Sequence, residues 1–191
     1  MNPESRALPA GGPGLAGTSG RTSGPFVVMG VSGSGKSSVA AALAEKTGGV
    51  FLEADDMHTA ASKARMAAGI PLEDDDRSLW IDQLHSRLLG LSTSPAPVFL
   101  ACSALKRTYR KRLACGLPGL RFLYLKGSRE LIRPRLEARR DHFMPPALLE
   151  SQFAALEEPE PGEAVTVSIE PPFSEVVDAL LKALHYENGQ D

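Results

Sequence analysis

The chain has 191 residues and a net charge of −2, with acidic and basic residues interspersed. That length suits one domain with a substantial core, and the charge balance leaves no basic footprint for nucleic acid. No apolar run approaches a membrane span, and two cysteines, Cys102 and Cys115, do not suggest a disulfide framework. With no secretory signal at the N-terminus, a cytoplasmic location is expected.

Residues 1–24 are mostly Pro, Gly, Ala, Ser and Thr, without an aromatic. Such a stretch buries too little apolar surface to offset its ordering entropy and reads as a disordered tail. The folded domain is expected over residues 25–187. It opens with Phe26-Val27-Val28-Met29, an apolar run typical of a buried parallel strand. Next comes Gly30-Val31-Ser32-Gly33-Ser34-Gly35-Lys36-Ser37, which fits the phosphate-loop pattern G-x-x-x-x-G-K-[ST]. Its glycines let the backbone curl so that successive N–H groups face one concavity suited to phosphate oxygens. Lys36 is placed to reach the β- and γ-phosphates, and the Ser37 hydroxyl to ligate Mg²⁺. Good helix formers follow from Ser38 to Lys46. A strand, a glycine loop and a helix N-terminus together make an anion site, so the chain is expected to bind a nucleoside triphosphate.

Val50-Phe51-Leu52-Glu53 reads as the second strand. Ligands in open α/β sheets sit beyond the carboxyl ends of strands, which puts Asp55, Asp56 and His58 where a substrate would lie. Residues 59–68 read as a helix stopped by Gly69 and Pro71. Asp74, Asp75 and Asp76 read as acids favouring the start of the next helix, over residues 77–90, whose apolar side carries Trp80, Leu84, Leu88 and Leu89. The guanidinium of Arg77 suits bidentate recognition of a carboxylate.

Val98 to Ala101 forms the third strand, followed by Cys102-Ser103-Ala104-Leu105-Lys106. Many phosphate-loop enzymes place a Mg²⁺-organising Asp at such a strand end. None stands here, so any carboxylate help must come from elsewhere, such as Asp55, or through water. Residues 105–115 read as a basic helix with a solvated face, Lys106 being the best ligand contact. Leu120 to Leu125 is the fourth strand. Ser128 caps a helix carrying Arg133, Arg135, Arg139 and Arg140, which leads into Asp141-His142-Phe143-Met144-Pro145-Pro146. Arg135 and Arg139 lie four apart on one face and read as lid arginines closing over phosphates. A helix over 147–157, a fifth strand over 164–169 and a closing helix over 173–185 complete the chain. Alternating strands and helices predict an α/β fold of three α/β/α layers, with a five-stranded parallel sheet covered on both faces.

Four stretches together resemble the small phosphate-loop gluconate kinases, relatives of shikimate kinases. They are Met29–Ser37, Ala54–His58 with Asp74–Arg77, Ala101–Lys106 with Tyr109-Arg110, and His142–Pro146 with Ser151-Gln152-Phe153 and Leu156-Glu157. The chain departs from that pattern at Thr59, Ser62, Arg65 and Leu79. The resemblance implies ATP-dependent phosphorylation of D-gluconate, with ATP and Mg²⁺ as cofactors and, in solution, a homodimer. The phosphate loop, Gly30 to Ser37, would bind ATP. Lys36, Asp55, Arg135 and Arg139 would be catalytic, and Ser37 would hold the metal. Asp55, His58, Arg77 and Lys106 would bind the sugar acid. A GTP-binding switch would need Asn-Lys-x-Asp and Asp-x-x-Gly motifs, and neither occurs.

Overall fold

A computed structural model describes residues 24–70, 72–138 and 148–187. The tail through Ser23, Pro71, and the stretch carrying Arg139, Arg140 and His142 to Pro146 lie outside the described residues. Five strands form one parallel sheet: β1 (Pro25–Met29), β2 (Val50–Glu53), β3 (Val98–Ala101), β4 (Arg121–Lys126) and β5 (Ala164–Ser168). Their order across the sheet is β2-β3-β1-β4-β5, and every pairing is parallel. The helices are α1 (Lys36–Thr47), α2 (Ala60–Ala67), α3 (Asp74–Leu91), α4 (Arg107–Ala114), α5 (Arg129–Glu137), α6 (Leu148–Ala155) and α7 (Phe173–Glu187). The expected three-layer α/β/α architecture is the one observed.

Side-chain alternation along the strands builds two cores. Phe26 and Val28 of β1 face one side, with Phe99 of β3 and Leu123 and Leu125 of β4. There they meet Leu43 of α1 and Val177 and Leu180 of α7. Val27 and Met29 face the other side, with Leu100, Phe122 and Tyr124, and meet Trp80, Ile81, Leu84 and Leu88 of α3. The period of two that sends successive residues to opposite faces accounts for the continuous apolar runs, since both faces are covered.

Several expectations about α3 and α4 change. α3 begins at Asp74, with Glu73 at its N-cap, so Asp74, Asp75 and Asp76 occupy its first turn rather than precede it. Ile81 is fully buried, whereas Leu89 is 42% exposed. α4 begins at Arg107, because Ala104 takes a left-handed backbone conformation (φ 44°) and Lys106 remains extended. Nor is its basic face uniformly solvated. Arg110 is 1% exposed. It donates to the carbonyls of Ala104, Leu105 and Glu157 at 3.2, 3.0 and 2.9 Å, and its Nε to Glu163 Oε1 at 2.6 Å. The same contact holds the Glu163 carboxyl below the usual carboxylate range. Arg110 therefore fixes the loop after β3 that borders the site. Arg110→Ala should cost about 3 kcal/mol of stability, because it leaves two buried carbonyls, a partly buried one and a carboxylate without their donor. Urea unfolding of the variant measures this, and a loss under about 1 kcal/mol would show that the loop stands without it.

Candidate active site

The connections leaving the neighbouring strands β1 and β3 run in opposite directions across the sheet, to β2 and to β4, and ligands bind at such a switch point. The phosphate loop follows β1, and the segment from Cys102 to Lys106 follows β3, so both border the same crevice. Gly30 N–H donates to the Ser103 carbonyl at 3.4 Å, joining the two. Within the loop, Gly30 and Gly33 have φ of +145° and +82°. A side chain at Gly33 would strike Leu136 and Ile132 of α5, and one at Gly30 would strike the Leu125 carbonyl. Both positions thus require glycine. Among the described residues the Ser34 hydroxyl is buried without a hydrogen-bond partner, an orphaned polar atom inside the expected phosphate cradle. Lys36 Nζ donates to the Val31 carbonyl at 3.1 Å, so the lysine folds back on its own loop.

A cavity of about 330 Å³ opens beside this loop. Ser32 and Lys36 line it from the loop, Asp55 and His58 from the end of β2, and Arg77 and Trp80 from α3. Lys106 and Tyr109 close another side, with Lys106 Nζ 5.7 Å from the Tyr109 ring centre. Residues spread over 74 positions, from Ser32 to Lys106, are thereby brought together, and with them every acceptor contact expected from the sequence.

A 3-10 turn over Ala54–Met57 aims the acidic residues. The Glu53 carboxylate accepts from Asp55 N–H at 3.5 Å and caps this turn. Glu53 also receives a hydrogen bond from the Ser37 hydroxyl and feels the Lys36 charge. Burial pushes its carboxyl above the usual range, while Ser37 and Lys36 pull the other way. Read only as the end of a strand, Glu53 escaped notice in the sequence. The signal was its position at the carboxyl end of β2, two residues before Asp55. It is a carboxylate hydrogen-bonded to Ser37, at a strand end beside β3, whose own end offers none.

His58 is stacked on Trp80, with ring centres 4.2 Å apart and an interplanar angle of 15°. Trp80 Nε1 donates to the Ala54 carbonyl at 2.9 Å, which anchors the stack. The His58 side chain is 5% exposed and its Nε2 lies 3.9 Å from Asp55 Oδ1. Burial lowers its pKa from the ordinary 6.5; Asp55 opposes the shift, while Lys63 and Arg77 add to it. The folded protein therefore binds fewer protons at this site than the unfolded chain as pH falls below 6.5, and stability falls with it. His58→Phe keeps an aromatic ring for the stack and removes the proton site. Between about pH 7.5 and pH 5.5 its urea midpoint should fall less than that of the unmodified protein. Equal acid sensitivity would remove His58 from the account of acid stability.

Cys102 forms part of the cavity wall, but burial pushes its thiol up to about 12, so it is a packing residue and not a nucleophile. The departures from the resemblance pattern are locally satisfied. Thr59 caps α2 by accepting from Ser62 N–H, and Arg65 bridges to Glu73 and Asp76 at 3.2 and 3.0 Å. Leu79 is 69% exposed, although its neighbour Trp80 is buried. Among the expected lid residues, Arg135 donates to the Ile169 carbonyl at 3.1 Å, beyond the end of β5. Arg133 of the same helix pairs with Glu150 of α6 at 2.6 Å.

No group of three or more His, Cys, Asp and Glu among the described residues could hold a metal alone. Also among them, no helix is long and apolar enough to cross a membrane. A family model described as an AAA domain matches residues 26–159. The probable gluconokinase of Mus musculus is 45% identical over 179 residues, spanning 84% of this chain and 97% of its own length. The thermosensitive gluconokinase of Escherichia coli is 42% identical over 145 residues, 76% of this chain and 78% of that protein. The crystal structure of a gluconokinase from Sinorhizobium meliloti 1021 superposes with a TM-score of 0.79 at 43% identity, over 88% of this chain and 95% of that one. At 42–45% identity over 78–97% of the lengths of these gluconokinases, this chain belongs to the gluconokinase family of P-loop kinases.

Proposed function

We propose that this protein transfers the γ-phosphoryl group of ATP to the terminal hydroxyl of D-gluconate, giving 6-phospho-D-gluconate. The observation that carries the reading is the single cavity in which Lys36 of the phosphate loop, Asp55, Arg77 and Lys106 meet. Its volume suits a small polar acceptor. Asp55 orients the attacking hydroxyl and takes its proton late. The bond from phosphorus to the β,γ-bridging oxygen breaks as the bond to the gluconate oxygen forms. In a loose transition state little base strength is required, so the position of the carboxylate matters most. Arg77 and Lys106 hold the carboxylate and hydroxyls of the sugar acid, with the His58–Trp80 stack as an apolar wall.

The loop residues fit a triphosphate: an orphaned Ser34 hydroxyl, a cradle that excludes a Cβ, and a lysine held nearby. They also fit Mg²⁺, which keeps several waters and takes one or two protein oxygens beside substrate phosphates. Ser37 would hold the ion and Glu53 would order its water shell. The metal, when bound, neutralises charge on the β- and γ-phosphates. Arg135 and Arg139 are assigned to charge stabilisation over the phosphates, for which Arg135 must leave the Ile169 carbonyl. Free Cys102 and Cys115 suit a reducing cytoplasm. A homodimer is part of the reading, and exposed Phe51 and Leu79 are apolar surface of the kind an interface covers.

Coupled ADP release tests the reading, with gluconate, its isomers, shikimate and nucleoside monophosphates as acceptors. The expected result is a kcat/KM for gluconate on the order of a hundredfold above every other acceptor. Equal or faster turnover with shikimate would replace gluconate as the substrate.

A further inference from the structure

Gln152 of α6 reaches across to the phosphate loop, where its Oε1 accepts from Ser32 N–H at 2.6 Å. A backbone amide is a donor only, so the carboxamide oxygen must be the end on Ser32, and the NH2 end is turned away from it. Gln152 also lines the cavity, together with Ser32, Lys36 and Asp55. Ser32 and Lys36 are the loop residues on that wall. The residue thus borders the cavity between the phosphate loop and Asp55.

Its helix is held from several directions. Leu149 is buried in the core. Glu150 pairs with Arg129 and Arg133 of α5 at 3.3 and 2.6 Å. Just past the helix, Glu157 N–H donates to the Leu105 carbonyl at 3.0 Å, and the Glu157 carboxylate accepts from Arg107 N–H at 2.6 Å. A side chain so supported needs little reorganisation to act, which is the condition for electrostatic stabilisation to be effective. The residue type matters as well. A neutral amide donates to a phosphoryl oxygen without a charge of its own, whereas a carboxylate of the same shape would repel it.

Resting on the function proposed above, we infer that Gln152 is a catalytic residue: anchored through its oxygen on Ser32 N–H, it donates its amide hydrogens to the phosphoryl group in transfer. It forms and breaks no covalent bond. Its hydrogen bonds strengthen as charge spreads over the equatorial oxygens.

Gln152→Glu and Gln152→Ala separate this role from that of a clasp. Glu keeps an acceptor for Ser32 N–H and replaces the donor with a negative charge. Turnover of Gln152→Glu should fall about a hundredfold, and that of Gln152→Ala at least tenfold. By calorimetry, Gln152→Glu should bind a non-hydrolysable ATP analogue about tenfold more weakly, with ADP affinity nearly unchanged. Near-normal turnover and analogue affinity in Gln152→Glu would reduce Gln152 to a clasp and overturn the inference. So would equal losses for ADP and the analogue. The calorimetric arm needs no acceptor. If the unmodified protein failed to phosphorylate gluconate, the functional reading would fall while the split between ADP and the analogue still decided the role of Gln152.

Discussion

Lys36→Ala is expected to lower kcat at least a hundredfold while leaving the fold intact. The amine stands on the wall shared by the phosphate loop and the acceptor cavity, 3.1 Å from the Val31 carbonyl. That contact is a resting position, because the same reach takes the amine to the β- and γ-phosphates. Donors aimed at charge that develops in a transition state are worth about 3–4 kcal/mol each, which corresponds to roughly two to three powers of ten in rate. The fold does not depend on the amine. The N-terminus of α1 is set by the left-handed Gly35, and the Val39 N–H already bonds the Gly35 carbonyl at 2.9 Å. Steady-state kinetics with thermal melts test this together. Turnover within a few-fold of the unmodified protein, at an unchanged melting temperature, would remove Lys36 from the chemistry.

Asp55→Asn is expected to lower kcat by about a hundredfold or more, with a smaller change in KM for gluconate. The asparagine has the same shape, keeps the 3-10 turn and retains a hydrogen-bonding oxygen for the hydroxyl. It loses the ability to take the proton. Because the turn is capped by Glu53 and roofed by the Trp80 bond to Ala54, the side chain stays in place and the loss is chemical. A matching loss in gluconate affinity, measured by quenching of Trp80, would instead make Asp55 a binding residue. Trp80 is the single tryptophan of the chain and lines the cavity, so its fluorescence reports acceptor binding directly.

Much of this site was legible along the chain because its signals are local. The phosphate loop announces itself in eight consecutive residues, and Asp55, His58, Arg77 and Lys106 follow strand ends or open helices. Their convergence follows from the rule that ligands meet the carboxyl ends of parallel strands. What stayed hidden depends on contacts between distant residues. Arg110 reads as one more cation on a basic helix until the Glu157–Glu163 segment folds over it, 53 positions further on. Gln152 meets Ser32 across 120 positions, and no pattern in either stretch records that. Glu53 looked like the last residue of a strand because the Ser37 hydroxyl that gives it a role belongs to another element. Leu89 and Ile81 exchanged places because α3 packs on a narrower stripe than its apolar residues span. The strand order β2-β3-β1-β4-β5 was likewise beyond reach, since alternating strands and helices are compatible with several parallel orders.

The most direct test of the central claim is a crystal structure with a non-hydrolysable ATP analogue, Mg²⁺ and gluconate bound together. The account predicts the γ-phosphate against Lys36 and the Ser32 end of the loop. It places the terminal hydroxyl of gluconate within about 3.2 Å of an Asp55 oxygen and in line with the γ-phosphorus. The sugar-acid carboxylate should rest on Arg77 or Lys106. Gluconate found outside the cavity, or bound with its carboxylate toward the phosphate and its terminal hydroxyl far from Asp55, would contradict it.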